Sequence, residues 1–264
     1  MSETPDRTAI TTTATVPAAK AASVLPLPAP VALVTGATNG IGRAVALKLG
    51  AEGFSVLVHG RDAARGAAVV EQITKDGGQA RFVAADLSDV GAIDRLADAV
   101  GDVDVLVNNA GFSWFGPTAK LDPDTFDALF AANVRSAYFL VAALAPRMAA
   151  RGSGSIVNVG SMAGQIGLAS GGAYGATKAA LAALTRSWAA EFSPSGVRVN
   201  TVAPGPAYTP GAAPERSTAL GETTLLGRAA TAEEIADVIV FLASPKAAYI
   251  TGAVIAADGG RTAI

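Results

Sequence analysis

The sequence predicts a single α/β domain, a doubly wound, mostly parallel sheet of seven strands flanked by helices. Three observations carry that expectation. Short β-branched runs alternate with segments of helical period from about Val31 onward. The first of these runs feeds directly into a glycine-rich turn that opens a helix, Thr35-Gly-Ala-Thr-Asn-Gly-Ile-Gly42. A chain of 264 residues, half of them apolar, is also long enough to bury one large core.

Composition narrows the chemistry before any motif is read. With no cysteine there is no disulfide, thiolate nucleophile or cysteine-held metal, a usage compatible with the expected cytoplasmic location. His59 is the only histidine, so a serine–histidine–aspartate triad would rest on it alone, and a histidine-rich metal site is excluded. A formal net charge of -2 without a long basic run leaves no footprint for nucleic acid or an acidic membrane. Residues 1–28, rich in Thr, Ala and Pro, read as a disordered leader ahead of one catalytic domain over residues 29–264. The leader lacks the basic start and apolar core of a secretory signal, and no later run is expected to span a bilayer.

The elements follow in order. Val31–Thr35 is the first strand. The glycine turn after it lets backbone approach a phosphate, and the helix from Arg43 to Glu52 offers unpaired amides and a partial positive charge. Phe54–Gly60 reads as strand two, Ala63–Asp76 as a helix stopped by Gly77 and Gly78, and Ala80–Ala84 as strand three. Asp86, just past strand three, either accepts hydrogen bonds from an adenine or nearby amides, or caps the helix after Ser88. Strand four, Asp104–Val107, runs into Asn108-Asn-Ala-Gly111, a tight turn whose role can be purely structural. From Asp122 to Ala150 the pattern is one long helix with Pro146 near its end. Asn133 lies inside it and, as a mediocre helix former, either bends it or meets a buried polar partner. Ser155–Gly160 is strand five, Ala173–Phe192 a helix and Val197–Val202 strand six. From Pro206 to Gly227 regular periodicity is lost, as in a lid or binding loop. Thr231 caps a helix over Ala232–Ala243 with Glu233 and Glu234 in its first turn, and Ala253–Ala256 is the last strand.

The reactive groups fall between Asn158 and Lys178. Tyr174 and Lys178 are four apart, so on a helix both leave the same face, and a cation beside a phenol favours the phenolate. Ser161, at the end of strand five, can join them where strand feeds helix. An isolated Tyr-x-x-x-Lys is most often an ordinary exposed pair. The ordered elements upstream favour an active site here.

With Asn108-Asn-Ala-Gly111, Asn133, Ser161, Tyr174, Lys178, Pro204-Gly205 and Asp258-Gly-Gly260 added to the glycine turn, the chain from Val31 to Gly260 resembles a classical short-chain dehydrogenase/reductase. The resemblance implies a Rossmann fold and a nicotinamide dinucleotide. It places the cofactor against Gly36, Thr38, Asn39, Gly40, Ile41 and Gly42 of the turn, against Asp86 and Leu87, against Asn109, Ala110 and Gly111, and against Pro204, Gly205 and Thr209. It also implies a catalytic tetrad. Tyr174 exchanges a proton with the substrate oxygen as hydride passes, and Ser161 hydrogen-bonds that oxygen. Lys178 favours the tyrosinate and grips the nicotinamide ribose, Asn133 holds a water that relays the proton, and Thr209 touches the nicotinamide carboxamide. No metal is expected in catalysis. Similar family members are homo-oligomers, tetramers or dimers. Ala176, Ala179, Ala180, Ala182 and Ala183 would permit a close helix interface, or equally a close fit on the chain's own sheet.

Strand two ends His59-Gly60-Arg61, without the acidic residue that would accept both ribose hydroxyls and repel a 2′-phosphate. Arg61 is suited to grip that phosphate, so NADP(H) is expected over NAD(H), although it can also be a solvated loop residue. Asp62 is expected to point away, Asn39 can offer only a neutral hydrogen bond, and His59 is expected in strand-end packing. The segments expected to border the substrate, residues 112–115, 162–172 and 207–221, carry few charges. They favour an uncharged or mostly apolar ketone or secondary alcohol. A 3-oxoacyl thioester reductase is the rival enzyme, and a non-catalytic dinucleotide-binding sensor or scaffold is the rival outside enzymes.

Overall fold

The computed structural model describes residues 29–264, and the leader expected over residues 1–28 lies outside the described residues. The β-branched runs become β1 (Val31–Val34), β2 (Ser55–Gly60), β3 (Gln79–Ala84), β4 (Val105–Asn108), β5 (Gly154–Val159), β6 (Val197–Pro204) and β7 (Val254–Ala257). They pair in parallel in the order β3-β2-β1-β4-β5-β6-β7. The chain works outward from β1 to β3 and then crosses back to β4. The connections after β1 and β4 therefore leave in opposite directions, which opens a crevice at the carboxyl ends of these two strands.

Alternation along each strand feeds two cores. Val34, Val56, Val58 and Val107 pack with α1 (Gly40–Ala51), α2 (Ala63–Lys75) and α8 (Ala232–Ala243) through Leu49, Ile73, Ile235 and Ile239. Leu33, Leu57, Leu106 and Ile156 face the other way, against α3 (Val90–Val100), α5 (Ser136–Ala150) and α6 (Gly172–Phe192) through Leu96, Leu140, Leu144, Met148 and Trp188. Helix starts are capped by Asp62, Asp89, Asp122 and Thr231, the last in a capping box with Glu234 that Arg228 grips through both guanidinium nitrogens. Asp89, not Asp86, caps α3.

The expected long helix is broken. α4 (Pro123–Phe130) passes through a π-turn at Ala131–Arg135 before α5 begins, and Asn133 sits in that turn. Asparagine thus does both things open to it, interrupting the helix and finding partners inside. The run Pro123–Ala150 is also long and apolar enough to cross a membrane by length and composition, which corrects the reading of the sequence. Its inner face of Leu140, Val141, Leu144 and Met148 belongs to the core. The segment read as irregular from Pro206 to Gly227 contains a helix, α7 (Pro214–Gly221), with proline at its start and Glu215 in its first turn.

Candidate active site

The crevice at the β1 and β4 ends is a cleft of about 960 Å³ that runs from Arg61 across the glycine turn to Ser161, Tyr174 and Lys178. Its floor is held by hydrogen bonds between the strands. Thr35 Oγ1 accepts from the amides of Asn109 and Ala110 at 2.9 and 3.0 Å and donates to Val107 O at 3.2 Å, while Asn109 Nδ2 returns to Thr35 O at 2.8 Å. Gly36 takes φ +63°, and a Cβ there would meet Ala110 Cα at 3.0 Å, so the turn has no room for a side chain. The Asn108-Asn-Ala-Gly111 segment is therefore the clasp of the glycine turn.

His59 is a second clasp, beyond the strand-end packing expected of it. It is 3% exposed, and its Nδ1 accepts from Gly36 N at 3.2 Å while Nε2 faces Ala85 O at 3.2 Å. Only the neutral ring with its proton on Nε2 satisfies both contacts. Burial pulls this imidazole down to about 4, with the Ala85 carbonyl opposing.

At the outer end of the cleft Arg61 is exposed and, among the described residues, forms no ion pair. Asp62 is turned to its own helix, accepting from Arg65 N at 3.0 Å and Arg65 Nε at 2.7 Å. Asp86 accepts from Ser88 N at 3.0 Å, and hydrogen bonds from Ser88 hold its carboxyl below the usual range. Thr38 stands beside Gly60, its methyl 2.5 Å from where a Cβ there would lie. Gly40, at the start of α1, lies against Thr209, the root of the segment that carries α7.

At the inner end Ser161 caps a short 3₁₀ turn, Met162–Gly164, accepting from Ala163 N at 3.1 Å and keeping its own proton to donate. That turn presses on α6. A Cβ on Gly175 would lie 2.6 Å from Ala163 O, and one on Gly164 2.8 Å from Lys178 C, so only glycines allow Ser161 to approach Tyr174 and Lys178. Lys178 is 7% exposed, donates to Val159 O at 2.8 Å and stands 5.7 Å from the centre of the Tyr174 ring. Burial lowers it to about 8. Burial also raises Tyr174, and the hydrogen bond with Ser161 opposes this more weakly. The ammonium is directed at the Val159 carbonyl.

Asn133 is 1% exposed. Its Nδ2 donates to Phe112 O at 2.9 Å and Thr177 Oγ1 at 3.1 Å, and its Oδ1 accepts from Phe112 N at 3.0 Å. Both amide protons are engaged, so the side chain anchors the loop after β4. The cleft is also bordered by Phe112, Ser113, Ala128, Ala132, Gly211 and Ala212. Gly116 N donates to Ser170 O at 2.9 Å, which ties the loop after β4 to residues 162–172. Arg65, Ala128 and Ala132 were missed in the sequence. The signals were slight, Arg65 one turn beyond Arg61 and an i, i+4 alanine pair on one helical run.

A nicotinamide dinucleotide fits this arrangement. The turn is a cradle that side chains would fill, α1 directs its N-terminus at it, and a cation stands at each end, Arg61 outside and Lys178 inside. Comparison with known proteins agrees. A family model described as enoyl-(acyl carrier protein) reductase matches residues 36–262. The chain is 39% identical over 243 residues to a cis-4-hydroxycyclohexanecarboxylate dehydrogenase from Sinomonas cyclohexanicum, spanning 89% of this chain and 97% of the relative. It is 35% identical over 242 residues to a cyclopentanol dehydrogenase from Comamonas sp., spanning 88% and 97%. Among solved structures, the angucycline C-6 ketoreductase LanV with bound NADP superposes with a TM-score of 0.83 at 36% identity, covering 89% of this chain and 96% of that one. The chain belongs to the classical short-chain dehydrogenase/reductase family and is one of its NAD(P)-dependent enzymes.

Proposed function

We propose that the protein is an NADP(H)-preferring oxidoreductase that interconverts a mostly apolar ketone and the corresponding secondary alcohol. The observation that carries this reading is the meeting of Ser161, Tyr174 and Lys178 at the inner end of a dinucleotide-sized cleft. When bound, the nicotinamide dinucleotide supplies or takes up the hydride. Ser161 donates to the carbonyl oxygen and Tyr174 delivers the proton. A phenol raised by burial stays protonated through the neutral range, which suits it to act as the acid in ketone reduction. Lys178, lowered to about 8, is still largely an ammonium at neutral pH and is suited to hold ribose hydroxyls. The two relatives' printed substrates, cis-4-hydroxycyclohexanecarboxylate and cyclopentanol, each carry a hydroxyl on a saturated ring, in keeping with this chemistry.

The preference for the phosphorylated cofactor is supported by Arg61, which has no competing carboxylate bonded to it, and by the Thr38 hydroxyl beside Gly60. The test is a screen of ketones and alcohols with both cofactors, followed by the absorbance of the reduced form. A hydrogen bond to a charged group contributes about 1.5–3 kcal/mol, so Arg61→Ala should lower catalytic efficiency with NADPH roughly ten- to a hundredfold and hardly change that with NADH. Equal losses with both, or a wild type that prefers NADH, would refute the cofactor assignment.

A further inference from the structure

We infer that Arg216 is a specificity residue that receives a carboxylate carried by the substrate, so that the substrate is a mostly apolar oxo or hydroxy acid. The inference rests on the ketone–alcohol reading above and adds an anionic end to its substrate. Arg216 lies in the first turn of α7, and its guanidinium sits over the Phe115 ring, Cζ 3.5 Å from the centroid. Phe115 in turn packs on Tyr174 with ring centroids 5.4 Å apart. The cation is one aromatic ring removed from the proton donor.

Stacking uses the flat face of a guanidinium and leaves its edge N–H groups in plane, where a carboxylate is received through two parallel hydrogen bonds. It also orders the side chain before a ligand arrives, which lowers the entropy cost of binding. Among the described residues no carboxylate pairs with Arg216, whereas Arg65, Arg95, Arg147 and Arg228 each have one. Glu215 is its neighbour in sequence but forms no ion pair with it. In residues 112–115, 162–172 and 207–221 there is no other lysine or arginine. Segments of low charge with one ordered cation beside the proton donor suit a ligand with an apolar body and one anionic group.

The probes are a matched pair, 4-oxocyclohexanecarboxylate and its methyl ester, assayed with NADPH, and cyclohexanecarboxylate titrated calorimetrically into the NADP-loaded protein. Wild type is expected to prefer the acid. Arg216→Gln, which keeps a planar polar end, should lower kcat/KM for the acid roughly ten- to a hundredfold, weaken cyclohexanecarboxylate to a similar degree and change the ester by less than about twofold. Arg216→Lys, which keeps the charge, should recover part of the loss. Equal loss on acid and ester would overturn the inference, because Arg216 would then only steady Phe115 and α7. Failure of cyclohexanecarboxylate to bind wild type at millimolar concentration would overturn it as well. Turnover of the ester without preference for the acid removes this inference and leaves the ketone reading standing. Arg216-dependent binding of the carboxylate without turnover of any ketone keeps the anion subsite and removes the ketone reading.

Discussion

Replacing His59 by asparagine tests whether one buried imidazole holds the cofactor turn in place. The folded protein keeps this ring neutral down to about pH 4, whereas the unfolded chain takes up a proton near 6.5. Stability from the neutral ring is therefore fully present above pH 6.5 and is lost as pH falls through 4. The gap between the two values corresponds to about 3 kcal/mol, most of it gone by pH 4.5. At pH 7.5 the substitution should cost about 1–3 kcal/mol, because asparagine is too short to reach both Gly36 N and Ala85 O and leaves a buried group unpaired. Since the variant has no ring to protonate, the difference between the two proteins should shrink toward zero or change sign by pH 4.5. Carboxylates such as Asp62, Asp122 and Glu234, all held below their usual range, lose stability with acid in both proteins and cancel in the comparison. Urea unfolding followed by circular dichroism at fixed protein concentration between pH 7.5 and 4.5 measures the difference, and NADPH titration at pH 7.5 should show weaker binding to the variant. A stability gap that stays constant over that range would refute the reasoning.

Two further outcomes are expected. Tyr174→Phe keeps the ring on Phe115 and removes the proton, so turnover should fall about a hundredfold or more while NADPH still binds; near-normal turnover would remove Tyr174 from the chemistry. The protein should be a tetramer or dimer by light scattering at micromolar concentration, with Phe139→Glu on α5 shifting it toward monomer. Tyr138 and Phe139 stand exposed on α5, and Ala176, Ala179 and Ala183 on α6, so a monomer alone would refute the expectation.

The parts of the fold that could be read in advance are those in which local chemistry and burial agree. β-branched runs buried on both faces, a glycine turn between strand and helix, and Tyr174 and Lys178 one turn apart all carry their meaning within a few residues. What escaped depends on contacts between distant segments. The π-turn at Asn133 exists because Phe112 and Thr177 engage its side chain, and neither is near it in sequence. The partner of Lys178 has the same origin, since the i, i+4 spacing gives the direction of its side chain but not the Val159 carbonyl that receives its ammonium. Thr38, on the glycine turn, stands against Gly60, which nothing within strand two announces. α7 was hidden because a polar first turn and a proline start look like a loop until Ser217 is seen buried beneath it, donating to Ala207 O.

The two ends of the cleft are built on different physical principles. The cofactor end is made of strand termini and backbone, closed by the Thr35 hydroxyl, the Asn109 amide and the neutral ring of His59, each linking segments that the sheet already holds. Any change there leaves a buried polar group without a partner, so this end tolerates little variation. A related rigidity reaches the catalytic groups through Asn108, Asn158 and Thr185, hydrogen-bonded in sequence from β4 through β5 to α6. The substrate end is different, because Phe112, Phe115 and Arg216 stand on a loop and a short helix outside the sheet. Side chains there can be exchanged without unpairing the floor. The same hydride chemistry can then serve different substrates, with the sheet fixing the reaction and the β4–α4 and β6–α8 connections fixing what is presented to it.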